Sequence, residues 1–169
     1  MSAVQPNPST RISRRAALLL LSSSAFAGLQ RPTSTAISES EVRMLIGAWI
    51  EAYQKLDAKR LTGLETPEVE IVDSFGELHL PSGRRENEKL WADTFETIAK
   101  DSAPPAATID HMRFIRPEVA LVRVSWRFPE GILLVDGDRL SPFSQLDTYL
   151  VVKSDGTWPI AAHNMQRKT

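Results

Sequence analysis

Apolar residues at Val42, Leu45, Ile46, Trp49, Tyr53 and Leu56 form one stripe on a period near 3.6, which predicts an amphipathic helix through IGAWIEAYQKLD. Ser38 and Glu41, in SESE, have the spacing of a reciprocal capping box. Ile37 and Val42 have that of a hydrophobic staple, so the helix is expected to start at Ser38. Asp57 is placed to cap a shorter helical piece through AKRLTGLE, which Thr66-Pro67 ends. From Glu68 the period becomes two. In EVEIVDSFG, Val69, Ile71, Asp73 and Phe75 share one strand face, so a carboxylate lies among apolar neighbours. Gly76 breaks that strand and ELHL offers a short return. Helical spacing resumes in PSGRRENEKLWADTFETIAK, with Trp91, Phe95 and Ile98 on one side and Ser82 as its cap.

After DSAPPA the pattern is that of strands to the end. ATIDHMRFI turns at Arg116-Pro117-Glu118 into VALVRVSWRF, where Ala120, Val122, Val124, Trp126 and Phe128 alternate with Leu121, Arg123, Ser125 and Arg127. Asp136-Gly137 marks an excursion, FSQLDTYLVVK a further strand, and Asp155-Gly156 a tight hairpin into TWPIAAHNM. Helices gathered early and strands gathered late describe an α+β domain, its N-terminal helices packed on a curved, mainly antiparallel sheet. Such a sheet forms a cone whose open end can hold a small molecule. A single core suffices, since a domain of this size buries roughly 70% of its unfolded surface.

Composition narrows the chemistry. The 169 residues include no cysteine, which removes disulfides, thiol nucleophiles and thiolate zinc sites. A net charge of −1 gives no electrostatic footprint for nucleic acid or an anionic membrane. The N-terminal stretch differs from the rest: no acidic residue occurs from Met1 to Ser38, and Arg11, Arg14 and Arg15 precede the run AALLLLSSSAFA, closed by Ala25-Phe26-Ala27. That run is well short of the roughly 20 apolar residues that span a bilayer. Residues 1–27 are therefore expected to be a signal peptide, 28–37 a flexible spacer and 38–169 the domain. SRRAAL resembles the twin-arginine export signal, with Ser13 before Arg14-Arg15 and Leu18 after, while Ala17 departs from the bulky residue usual there. Loss of the leader removes three arginines and leaves 17 basic against 21 acidic residues, a net charge of −4. The expected product is an exported, periplasmic or secreted protein with no membrane association after cleavage.

The order of elements, with IGAWIEAYQKLD, VEIVDSFGELHLPSGR, RPEVALVRVSW and LVVKSDGTWPIAAHNM, resembles the nuclear transport factor 2-like superfamily and, within it, the SnoaL-like branch of SgcJ/EcaC type. The similarity spans Ser38 to Gln166. It rests on Asp57 at the end of the first helix, on Asp73, Gly76, Gly83 and Arg84 around the first hairpin, and on Gly156, Trp158, Ile160, Ala162, His163 and Asn164 in the last strand. Pro159 departs from the branch, where a basic residue is usual, and the excursion at Asp136-Gly137 is long for it. The resemblance implies a cone-shaped domain that commonly forms a homodimer through its sheet face. It fixes no activity, because the superfamily holds ketosteroid isomerase, scytalone dehydratase, epoxide hydrolase and polyketide cyclases as well as association domains without catalysis. The oxidoreductase label some relatives carry has no nucleotide-binding glycine motif or metal motif to support it here.

The residues themselves offer these candidates. Asp73 among apolar neighbours would have its pKa raised toward a general acid or base, or would accept hydrogen bonds from its own turn. His79, His111 and His163 lie on three different strands, so no metal site is expected; His111 is a weaker catalytic candidate beside Asp73. Parity places Trp158, Ile160, Ala162 and Asn164 on the inner face of the last strand and His163 outside, unless a bulge intervenes. Trp49, Tyr53, Trp91, Phe95, Trp126 and Asn164 are the candidate pocket residues, for a flat or apolar ligand and with no cofactor. Leu121, Arg123, Ser125 and Arg127, with Tyr149 and Val151 beside them, are read as the mixed outer face of the sheet. The function classes left are an exported small-molecule-binding protein, a cofactor-independent isomerase, dehydratase or hydrolase using Asp73, and a dimeric association module. Replacing Arg14-Arg15 by Lys-Lys is expected to abolish export, followed by cell fractionation; unchanged export would exclude the twin-arginine route.

Overall fold

The computed structural model describes residues 34–168, with side chains from Ser38 on; the expected signal peptide 1–27 and the first part of the spacer lie outside the described residues. Two helices open the domain, α1 (Ser34–Gln54) and α2 (Ala58–Thr62). They are followed by β1 (Glu65–Val72), β2 (Leu78–His79), α3 (Arg84–Glu96), β3 (Ala106–Arg116), β4 (Val119–Phe128), β5 (Ile132–Leu133), β6 (Arg139–Leu140), β7 (Phe143–Val152) and β8 (Ile160–Lys168). Six strands form one sheet in the order β2-β1-β8-β7-β4-β3, with β5 and β6 a separate two-stranded ribbon. Only the β1–β8 pair in that sheet is parallel. The α+β expectation therefore holds, with helices against a curved, mainly antiparallel sheet. No helix among the described residues is long and apolar enough to cross a membrane.

Helix α1 begins at Ser34, upstream of the expected Ser38 cap, so Ser38 and Glu41 lie within the helix. Glu41 has another partner: its Oε2 accepts a hydrogen bond from Trp158 Nε1 at 2.9 Å, tying α1 to the chain entering β8. The helix ends at Gln54 and the chain turns at Leu56, whose φ of 53° is left-handed, while Asp57 N donates back to Ala52 O at 2.9 Å. Asp57 then caps α2 through its carboxylate, which accepts from Arg60 N at 2.9 Å. Arg84 fastens the far end of α2, donating to the carbonyls of Thr62 and Glu65. Gly83, rather than Ser82, is the N-cap of α3, and the Ser82 amide donates to Glu86 Oε2 at 2.7 Å.

Two β-bulges decide which side chains face the helices. On β3, Ile109 pairs with Val124 and His111 with Arg123, so Asp110 is the extra residue. On β8, Ile160 pairs with Val151 and Ala162 with Leu150, so Ala161 is the extra residue. Each insertion reverses the parity beyond it. His111 is turned to the outer face opposite Arg123, while His163 is turned inward and fully buried. Asn164 is exposed on the outer face, which corrects the inward placement that unbroken parity gives. The outer face needs a second correction. Tyr149 pairs with Val122 and Val151 with Ala120, so both share the helix-facing side and are fully buried. Half-buried Leu121, Leu146, Leu150 and Val152 alternate with Arg123, Arg127 and Thr148 on the true outer face.

Trp49 sits at the centre of the core. Its ring lies 4.9 Å from that of His163, 5.2 Å from Tyr149, 5.7 Å from both Tyr53 and Trp91, and 6.3 Å from Trp126. Its Nε1 donates to buried Glu65 Oε1 at 2.9 Å, and Asn87 Nδ2 donates to Glu65 Oε2 at 2.6 Å. One carboxylate thus joins α1, β1 and α3. Burial pushes the Glu65 carboxyl up, against the opposing pull of the Trp49 and Asn87 hydrogen bonds and of nearby His163. A raised carboxyl stabilises the fold fully below its unfolded value, about 4.3, and that contribution is lost as pH rises through the folded value. Denaturant unfolding of wild type and Glu65→Gln between pH 4 and 8 should show wild type losing stability relative to the variant as pH rises. A difference independent of pH would contradict the raised carboxyl.

Candidate functional site

The open end of the sheet encloses a cavity of about 370 Å³. Its wall is mostly apolar: Ile71 from β1, Leu90 and Trp91 from α3, Phe128 from β4, Ile132 and Leu140 from the ribbon, and Phe143 and Met165 from β7 and β8. The ribbon closes one side because Gly131, at a φ of 72°, lets its backbone press against β6. A Cβ there would meet the Leu140 carbonyl oxygen at 1.7 Å. Polar groups converge at two places, a rim made by the β1–β2 hairpin and a floor between α1 and β7.

At the rim Asp73 follows directly on β1 and opens the hairpin. Its Oδ1 accepts from the amides of Phe75 and Glu77 at 2.9 and 3.0 Å, and its Oδ2 lies 3.1 Å from His79 Nε2. His79 reaches the cavity because it pairs with buried Ile71 across the hairpin. Burial alone would raise the Asp73 carboxyl. The His79 hydrogen bond and the amides of Glu77 and Phe75 outweigh it and hold the group below its ordinary value. The raised pKa expected from apolar strand neighbours is thus overturned, since the turn supplies donors the strand would not. An imidazole held by a low-pKa carboxylate is the arrangement in which the carboxylate orients and the imidazole transfers the proton. Glu77 completes a group whose donor atoms, with those of Asp73 and His79, lie within 4.8 Å of one another. Phe75, expected on the inner face, lies at the turn and is 82% exposed.

At the floor stand Tyr53 and Gln145. Behind them Asp147 is a buried hub. Its Oδ1 accepts from Gln145 Nε2 at 2.7 Å, and its Oδ2 accepts from the Tyr149 hydroxyl at 3.1 Å and from His163 Nε2 at 3.0 Å. With Nε2 donating to Asp147, His163 leaves Nδ1 buried and without a partner among the described residues. Burial first, and the Asp147 charge second, push the hydroxyls of Tyr53 and Tyr149 well above the ordinary tyrosine value. The shift favours the neutral, protonated hydroxyl in both. Arg167 stands near the entrance, its guanidinium carbon 4.3 Å from the centre of the Phe143 ring.

Of the residues singled out from the sequence, Asp73, Tyr53 and Trp91 line this cavity. Trp49 and Trp126 are core. Phe95 lines a second recess of about 710 Å³, between the end of α1 and the segment 98–105, whose wall shares Tyr53, Phe128 and Ile132 with the first. The ionisable side chains bordering that recess are Lys55, Glu96, Lys100 and Tyr53, with no paired acid and base among them. His111 and Asn164 lie on the outer face, away from both. Sequence patterning put His111 rather than His79 beside Asp73, and it missed Gln145 and Asp147 as site residues. The signal for the last two was present: Gln145, Asp147, Tyr149 and Val151 fall at alternate positions, so seating Val151 in the core would have carried the others inward.

No protein-family model matches the chain, and no curated protein matches its sequence. Solved structures do match. A ketosteroid isomerase-like protein from Erwinia carotovora atroseptica superposes with a TM-score of 0.67 at 17% identity, over 77% of this chain and 95% of that one. A hexachlorocyclohexane dehydrochlorinase of type 2 gives 0.66 at 14% identity, over 80% and 88%. A nuclear transport factor 2-like protein from Shewanella oneidensis gives 0.59 at 18% identity, over 76% and 98%. At such identities the likeness speaks for the fold alone. The described residues have the nuclear transport factor 2-like fold.

Proposed function

We propose that this domain, once exported, binds a small, largely apolar molecule in the cavity at the open end of its sheet. The carrying observation is the cavity itself, about 370 Å³ with apolar walls and a few convergent polar groups at its rim and floor. That is the usual composition of a small-molecule site. The sequence of the leader supports the exported setting. Naphthalene, added to the folded protein and followed by quenching of tryptophan fluorescence, should bind saturably. Met165→Trp, which fills the cavity from β8, should weaken binding about tenfold or more, the equivalent of about 1.4 kcal/mol, with the melting temperature little changed. Absence of saturable binding, or binding indifferent to the filled cavity, would refute the reading.

A second reading adds proton transfer at the rim, and the observation favouring it is the 3.1 Å contact between Asp73 and His79 at the cavity wall. In this reading His79 takes a proton from a carbon acid seated in the cavity, and Asp73 holds the imidazole in place and balances its charge. Deuterium exchange at the activated methylene of 2-tetralone, followed by NMR, should run faster with protein than with buffer. His79→Gln should remove most of that acceleration, on the order of 10²-fold for a positioned base, and Asp73→Asn should remove less. Equal rates in wild type and His79→Gln would leave binding as the whole function.

A further inference from the structure

We infer that the cavity is built for a neutral ligand carrying a hydroxyl or N–H donor on its buried end, and that Gln145 Oε1 is the group that recognises it. The inference rests on the binding reading above and adds the chemical class of the ligand. Gln145 lines the cavity and is itself 93% buried, with 7% of its surface accessible. Its amide has two ends of opposite character, and the structure shows which one is spent. Asp147 Oδ1 takes a hydrogen bond from Gln145 Nε2 at 2.7 Å, and the same carboxylate accepts at its other oxygen from Tyr149 and His163. A carboxylate surrounded by donors requires the nitrogen of the amide, not its oxygen, to face it. The carbonyl oxygen is therefore the end left for the cavity. It makes no hydrogen bond among the described residues.

Tyr53, which lines the same cavity, supplies a complement. Its hydroxyl also has no partner among the described residues, and burial with the Asp147 charge keeps it protonated. The floor thus offers one acceptor and one donor, both neutral, in apolar surroundings. A ligand donor can be met by the Gln145 oxygen, and a ligand acceptor by the Tyr53 hydroxyl. An ether, which can only accept, leaves the Gln145 oxygen desolvated and unpaired, and unpaired buried polar groups are what gives such sites their selectivity. A carboxylate at this depth would face the Gln145 oxygen and the Asp147 charge behind it, so anions are disfavoured on the buried end. Asp147 is a positioning residue here: it touches no ligand and acts by holding the Gln145 amide in one orientation.

The test is a calorimetric comparison of 2-naphthol with 2-methoxynaphthalene on the full chain, with naphthalene as a reference for the apolar part of the site. Expected is a preference for the naphthol over the ether of at least about tenfold. Gln145→Leu should bring the two together by weakening the naphthol and sparing the ether. Asp147→Asn, which frees the amide to turn, should shrink the ratio without loss of ether binding, an outcome that general loosening of the core would not produce. Equal affinities of wild type for naphthol and ether would overturn the assignment of Gln145 while leaving the cavity reading intact. Tighter binding of the ether would show that the amide nitrogen faces the cavity and overturn it likewise. Failure of all three probes to bind would refute the cavity reading and this inference with it. The wild-type comparison alone decides the matter should either variant fail to fold.

Discussion

The polar organisation of this domain depends on one buried carboxylate. Asp147 lies on the helix-facing side of β7 with almost no exposure, a position that is costly unless its oxygens are filled. Three side chains fill them, two from β7 itself and one from β8. The β8 donor, His163, is available only because the extra residue at Ala161 turns the strand's parity inward. The orientation of Gln145 follows from satisfying that charge, and the same charge adds to the burial that keeps Tyr149 and Tyr53 neutral. Had Asp147 been an apolar residue, the cone could be filled like any other core, with no reason for a polar floor.

A second carboxylate plays the matching role on the helix side. Glu65, held by Trp49 and Asn87, joins α1 and α3 to the first strand, while Trp49 packs against Tyr149 and His163. The aromatic rings between the two carboxylates pack edge to face and stacked. The open space is displaced toward the rim, where short elements do the enclosing. The hairpin after β1 contributes Asp73 and His79, and the β5–β6 ribbon contributes Ile132 and Leu140.

Much of the fold could be read from periodicity. The alternation in VALVRVSWRF gave the inward residues of β4 one by one, and the stripe from Val42 to Leu56 gave the buried side of α1. What periodicity could not give is where it breaks. The bulges at Asp110 and Ala161 each insert one residue with no glycine or proline at the inserted position, and each moves a histidine to the opposite face. Asp73 failed as a raised-pKa base for a related reason. The strand pattern saw its apolar neighbours, while its actual partners are amides and an imidazole that only the closed hairpin brings near. The Asp147 hub was concealed by reading Tyr149 and Val151 as outer-face residues, which hid the whole inner register of β7.

The central claim, that Asp147 organises an inward-facing polar network behind the cavity, is tested most directly by proton NMR of the His163 ring in the folded protein. Expected is a slowly exchanging Nε2 proton on His163, with nuclear Overhauser contacts to the Tyr149 hydroxyl region and to the Gln145 amide protons, and its loss in Asp147→Ala. A His163 ring proton in free exchange with water, or one without contact to Gln145, would contradict it.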